Sequence, residues 1–119
     1  DYLFSLFQTK GAAYFVGEIN CEIVGGGGVF PNPNLHEGCC ELVKLYLLKA
    51  GRAKGLGKAL IHECFKAAIQ IGYTNMYLET MPELNTAVGM YEQLGFEYLK
   101  APLGNSGHFG CDIWMMKNL

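Results

Sequence analysis

The segment Arg52-Ala53-Lys54-Gly55-Leu56-Gly57-Lys58 places a glycine-rich turn between a hydrophobic run and the start of a helical pattern. The first turn of a helix leaves backbone N–H groups unpaired and carries partial positive charge, so a turn of this kind can hold an anion. Gly55 and Gly57 would leave the backbone open to it. A pair of glycines also serves as a purely structural turn, and the motif alone does not choose between the two. Two nucleotide-binding readings are disfavoured by single residues. A Walker-type loop needs a hydroxyl residue after its lysine, and Ala59 follows Lys58; a dinucleotide turn needs a third glycine where Leu60 stands. A second glycine run, Gly25 to Gly28, enters Val29-Phe30-Pro31 rather than a helix, so it reads as a strand end with exposed backbone.

The other residues able to do chemistry narrow the classes further. The five cysteines, at 21, 39, 40, 64 and 111, are odd in number and contain no C-x-x-C pair. That suits neither a disulfide framework nor a zinc site, and it predicts reduced core thiols in a cytoplasmic protein without a metal. A net charge of −2 and a pI near 5.9 lack the basic excess that phosphate contacts require, so no nucleic-acid partner is expected. Lys44 and Lys49 interrupt the apolar runs before they reach the roughly 20 residues that span a bilayer, and no cleavable signal precedes them. No membrane association is expected. Hydrophobic residues make up 50% of the chain and charged ones 17%, against roughly 25% charged on average, so a packed core is available. With 119 residues, one domain covering 1–119 fits and two do not.

These residues need elements to position them. Tyr2 to Phe7 is apolar without alternation and reads as the last turns of a helix. Ala13–Glu18 and Glu22–Val24 are β-rich runs around Ile19-Asn20-Cys21, which puts an Asn where a tight hairpin turn needs positive φ. Pro31-Asn32-Pro33-Asn34 forces an irregular turn. Cys40–Leu48 reads as a mostly buried strand feeding the glycine turn, after which Leu56, Leu60, Cys64, Ala67, Ala68 and Ile71 recur at helical spacing and Gly72 supplies the stop. Asn75–Glu79 is a short strand. Thr80-Met81-Pro82-Glu83 matches a capping box, predicting a second helix with an apolar face of Leu84, Val88, Tyr91 and Leu94 that ends at Gly95. A strand around Phe96–Leu99, a polar loop from Pro102 to Gly110 and a strand Cys111–Lys117 complete the chain. The order β-β-β-α-β-α-β-β, with a parallel strand–helix–strand unit in its middle, predicts helices on a mixed sheet.

Arg52-x-x-Gly55-x-Gly57 after a hydrophobic strand resembles the pyrophosphate signature Gln/Arg-x-x-Gly-x-Gly/Ala of the GCN5-related N-acetyltransferase (GNAT) family. Ala87-x-x-Met90-Tyr91-Glu92-Gln93-Leu94-Gly95-Phe96 is similar to that family's Ala-x-x-Leu-Tyr-Glu-x-Leu-Gly-Phe, in the right order along the chain. The resemblance runs from about Ala13 to Leu119. It implies an α/β fold with a mixed, mostly antiparallel central sheet flanked by helices and a splayed parallel strand pair, the family's first strand and helix being missing from this chain.

It also implies an enzyme that transfers an acetyl group from acetyl-CoA to an unidentified primary amine by direct attack; a homodimer is compatible with this. A catalytically silent acyl-CoA sensor or interaction module on the same fold is the alternative. By resemblance, the CoA pyrophosphate lies on the backbone of Ala53, Lys54, Gly55, Leu56, Gly57 and Lys58, near Arg52. The pantetheine arm runs beside Leu45, Tyr46 and Leu47, whose exposed strand edge can pair with its amides. Tyr91 stands where the family places the tyrosine that serves the CoA sulfur, although it is also one rung of an apolar stripe. Glu41, six residues before Leu47, has the spacing of a general-base glutamate, and the even offset predicts both on one strand face. Glu79 is the second candidate base. Family members often carry an Asn seven residues before the helix tyrosine, where this chain has Leu84; Asn85, one residue out of register, is the candidate pantetheine contact. His108 is a candidate acceptor contact, while His36 and His62 carry no functional expectation.

Overall fold

The computed structural model describes residues 3–48, 55–103 and 112–119, with backbone alone for residues 3–5 and for Asn85. Seven strands and two helices follow in the order β1 (Leu3–Thr9), β2 (Ala12–Ile19), β3 (Glu22–Pro31), β4 (Cys39–Leu47), α1 (Leu56–Ile71), β5 (Asn75–Thr80), α2 (Asn85–Gln93), β6 (Glu97–Leu99) and β7 (Ile113–Asn118). The strands form one sheet in the order β1-β2-β3-β4-β5-β7-β6. All neighbours are antiparallel except β4 and β5, which are parallel.

The amino-terminal segment departs from expectation. It is the strand β1, paired with β2 from Leu3↔Glu18 to Thr9↔Ala12, instead of a helix end. Phe7 is exposed and so is Leu6, so the edge strand carries apolar residues towards both faces and shows no alternation that its sequence could advertise. The turn between β2 and β3 is as expected: Asn20 and Cys21 both have positive φ, 52° and 68°, which matches the twist of a two-residue hairpin.

Gly25 to Gly28 lies inside β3, covered on both sides by β2 and β4, and is neither a strand end nor exposed. The reason is room for neighbouring side chains. A Cβ on Gly26 would lie 2.7 Å from the Tyr14 hydroxyl, one on Gly27 2.8 Å from Leu45 Cδ1, and one on Gly28 2.7 Å from the Ala13 carbonyl oxygen.

Helix α1 has the predicted extent and ends at Gly72, whose φ of 111° lets its N–H bond back to the carbonyls of Ala68 and Ile69. Its buried face includes Leu56, Leu60, Ile61, Cys64, Phe65 and Ala68. Helix α2 departs from the capping box. Thr80 remains the last residue of β5, in register with Ile113, and the helix starts only at Asn85 after Leu84, with no side-chain cap. Ladder pairing takes Thr80 before the helix can use it. Of the expected apolar face, Val88 and Tyr91 are buried and Leu94 is partly buried, but Leu84 is 49% exposed. The final strand begins at Ile113, and Cys111 lies outside the described residues.

One core lies between the helices and one face of the sheet, built from Ala13, Phe15, Cys40, Leu42, Met76, Leu78 and Met115 together with α1 and Tyr91. Alternation therefore sends Cys39, Glu41, Tyr77 and Glu79 to the opposite face.

Candidate active site

The site begins with an irregularity in β4. Gly28 pairs with Val43 and Gly26 with Tyr46, so Lys44 and Leu45 together oppose the single residue Gly27. This is a β-bulge, and Lys44 absorbs it with a φ of 58°. The extra residue reverses the alternation along the strand. Before it, Leu42 faces the core; after it, Leu45 and Leu47 do. Glu41 and Leu47 consequently lie on opposite faces, contrary to the even-offset argument, because that argument assumed an uninterrupted pleat.

The parallel pairing of β4 with β5 covers only Cys39↔Asn75, Cys40↔Met76 and Glu41↔Tyr77, although both strands run on to Leu47 and Thr80. Beyond that point they separate, as predicted for the parallel pair. A cleft of about 360 Å³ occupies the opening. Glu41, Lys44 and Leu45 line it from β4, Leu78, Glu79 and Thr80 from β5, and Leu84 and Tyr91 from the α2 region, together with Phe30 and Met81. It therefore reaches both faces of the sheet: Tyr91 belongs to the helix side, and Glu41 and Glu79 to the other.

Each polar group is held by identifiable neighbours. Tyr91 is 7% exposed and packs edge-on against Phe96, with ring centroids 5.7 Å apart. Burial pushes its phenol up to about 12, so it is a neutral proton donor throughout the physiological range. Glu41 is buried and accepts a 2.9 Å hydrogen bond at Oε1 from Asn32 Nδ2. Glu79 accepts a 2.6 Å bond from the Tyr77 hydroxyl, which in turn accepts 3.0 Å from the Leu103 N–H. Lys44 Nζ lies 5.5 Å from the centre of the Phe30 ring.

Next to the cleft, α1 opens at Gly55, whose φ of 76° precedes a first turn with no side-chain cap and no acidic residue. An added Cβ at Gly55 would meet nothing within 4 Å, whereas one at Gly57 would lie 3.0 Å from Met90 Sδ and 3.3 Å from Leu47 Cδ1. Among the described residues, Gly55 thus leaves the helix start open. Gly57 serves instead to bring α1 close to β4 and α2. Leu56 is wholly buried, Lys58 is exposed, and Tyr46 projects on the face away from the core at 41% exposure.

Of the residues singled out from sequence, Tyr91, Glu41, Glu79 and Leu45 meet around the cleft, while Tyr46, Leu47, Gly55, Leu56, Gly57 and Lys58 lie in the adjoining strand end and helix start. Arg52, Ala53, Lys54 and His108, and the side chain of Asn85, lie outside the described residues. Sequence reasoning missed Tyr77, Asn32 and Phe30. Tyr77 carried a usable signal, since a strand places it on the same face as Glu79 two residues on. Asn32 carried none, because its contact with Glu41 depends on how an irregular turn folds back.

A mixed sheet opened between two parallel strands, with an uncapped helix start after the first of them, defines the fold, and solved structures share that fold. The chain superposes on a GNAT-family acetyltransferase from Staphylococcus aureus Mu50 with a TM-score of 0.82 at 22% identity, covering 92% of this chain and 69% of that one. It also superposes on the PaiA N-acetyltransferase of Thermoplasma acidophilum, solved in complex with coenzyme A, with a TM-score of 0.75 at 19% identity, covering 92% and 62%. Residues 1–96 match the model of the Acetyltransferase (GNAT) family, and the chain belongs to that family. It is 40% identical over its whole length to YjgM, an uncharacterized N-acetyltransferase of Escherichia coli K12, of which it spans 71%. It spans 44–51% of the lengths of the other curated relatives it matches.

Proposed function

We propose that this chain is an acetyl-CoA-dependent N-acetyltransferase that acts on a primary amine by direct attack. One observation carries the reading: the cleft between β4 and β5 opens to both faces of the sheet, with a buried phenol on one side and two carboxylates on the other. A thioester and an amine can therefore meet from opposite sides without displacing one another. The site also suits the cosubstrate. Uncapped amides at the start of α1 suit a pyrophosphate, and the edge of β4 beyond Glu41, left by β5, suits the pantetheine amides.

In the reaction the amine nitrogen attacks the thioester carbonyl carbon, a C–N bond forms, the C–S bond breaks, and the sulfur leaves as thiolate. Tyr91 gives its phenolic proton to that sulfur, and Glu41 takes the proton released by the nitrogen, directly or through water. Backbone N–H groups near Leu47 hold the developing oxyanion. Arg52, Ala53 to Lys58 and Asn85 complete the proposed CoA contacts. The setting is cytoplasmic: Cys21, Cys39, Cys40 and Cys64 are free, and burial pushes Cys39 up to about 11 and Cys40 and Cys64 up to about 12, which makes these three inert thiols.

The test is release of CoA thiol from acetyl-CoA with spermidine, tyramine and lysine amide as acceptors, and detection of the acetylated amine by mass. Amine-dependent release with a product 42 Da heavier, roughly one acetyl group for one hydrogen, is expected. Acetyl-CoA binding without release for any acceptor would instead favour a sensor.

A further inference from the structure

We propose that Tyr77 is a positioning residue for the acceptor side of the cleft, its hydroxyl fixing the Glu79 carboxylate to the backbone that follows β6. The inference rests on the transfer reaction proposed above and adds to it a residue that does not touch the reacting atoms. Tyr77 is the largest fully buried side chain in the described structure, at 0% exposure. A buried hydroxyl needs partners, and this one has two of opposite kind: it donates 2.6 Å to Glu79 Oε2 and accepts 3.0 Å from the Leu103 N–H.

The two bonds form a chain in which donation from Leu103 polarises the phenol towards Glu79. Burial, the bond to Glu79 and the nearby charge of Glu41 all raise the phenol's pKa, so its proton remains in place as the donor. Residues 77 and 79 share a strand face, so the ring lies alongside the carboxylate it holds. Glu79 lines the cleft at the level where β4 and β5 have separated. A carboxylate fixed there orients an incoming neutral amine by accepting a hydrogen bond from its N–H, which leaves the nitrogen lone pair free for attack. Loss of the Tyr77 bond removes one constraint on that carboxylate's rotamer, and misplacement on the order of 1 Å at a reacting centre is costly.

The experiment is a double-mutant cycle on the full chain with acetyl-CoA and the best acceptor among spermidine, tyramine and lysine amide. Tyr77→Phe is expected to lower kcat/KM for the amine about tenfold while KM for acetyl-CoA stays within about twofold. Glu79→Gln is expected to lower it further, and Tyr77→Phe combined with Glu79→Gln to be no worse than Glu79→Gln alone, because the phenol acts only through the carboxylate. Losses that multiply in the double variant, or a rise in KM for acetyl-CoA, overturn the positioning role. Leu103→Pro removes the N–H donor while leaving the phenol in place, and it guards against a Tyr77→Phe chain that does not fold. It is expected to show the same split between amine and acetyl-CoA parameters; unchanged kinetics for it overturn the link to the backbone. A wild-type chain that releases no thiol with any of the three amines overturns the transfer reaction, and this role with it, whereas an active chain with multiplicative losses overturns this role alone.

Discussion

Tyr91 owes both its proposed chemistry and a measurable stability signature to burial. Its pKa rises from an ordinary 10 to about 12 because the ring and hydroxyl are removed from water. A group whose folded pKa exceeds its unfolded value contributes stability that is complete below the unfolded pKa and is lost as pH rises through the folded one. Tyr91→Phe keeps the ring against Phe96 and removes the titration. The wild type should therefore lose stability relative to that variant by about 1.4 kcal/mol between pH 8 and pH 11, read by urea unfolding at each pH. A difference that does not change with pH would mean that the phenol titrates alike in both states. The sequence places Tyr91 both in an apolar stripe and inside a family motif, so its burial and its candidacy as proton donor were legible together. The Tyr77 hydroxyl was legible only in part: its spacing to Glu79 is local, but its donor, Leu103, lies 26 residues away and nothing local announces that meeting.

Among the elements, the β4 bulge and the start of α1 set the site's geometry, and each can be altered alone. Deleting Lys44 would leave Leu42, Leu45 and Leu47 in regular alternation on the core face and remove only the bulge. Lys44→Gly, by contrast, keeps the bulge, removes the cost of a side chain at a φ of 58° and should raise stability by up to about 1 kcal/mol. Measuring the unfolding midpoint decides it; a Lys44→Gly variant clearly less stable than the wild type would contradict the left-handed bulge residue. Gly57→Val forces a branched side chain between Met90 and Leu47, where an added Cβ already stands 3.0 Å from sulfur. It should cost about 1–3 kcal/mol and weaken acetyl-CoA binding at least about tenfold by titration calorimetry. Gly57→Ala, for which the end of Met90 can give way, should do neither. Near-normal affinity in a folded Val variant would show that loosening α1 from β4 and α2 does not reach the helix start. Period and punctuation made α1 readable to its ends, since six apolar positions and a terminal Gly72 agree. The strand β1 and the start of α2 were not readable. In both, pairing with another strand decided the outcome, β2 for the first and the distant β7 for Thr80, and local propensity lost to the ladder.

The whole molecule works as a sheet held together at one end of its parallel pair and open at the other. Below Glu41↔Tyr77 the pair is stitched and buried; above it the two strands diverge and β4 presents an edge. Closing the core over one face with α1 and α2 leaves the carboxylates on the other, which is why donor and acceptor have separate approaches. Binding of acetyl-CoA to the folded state alone must raise stability. At a hundredfold excess over Kd the gain is about 2.7 kcal/mol, and for a domain of this size the midpoint should rise by roughly 10 °C. Free adenosine, which lacks the pyrophosphate, should produce little of it, and an equal shift from both would argue against the α1 start as the anion site.

Single-turnover release of CoA thiol, with enzyme in excess over acetyl-CoA and a saturating acceptor amine, tests the transfer reaction and its proton donor together. Wild-type chain should release thiol in one amine-dependent phase, and Tyr91→Phe should bind acetyl-CoA normally while releasing thiol more slowly by a factor on the order of 10²–10⁴. Because product release cannot mask this measurement, an unchanged rate in Tyr91→Phe would remove the buried phenol from the mechanism. No amine-dependent phase in the wild type, with acetyl-CoA bound, would contradict the account of the cleft as a site of acetyl transfer.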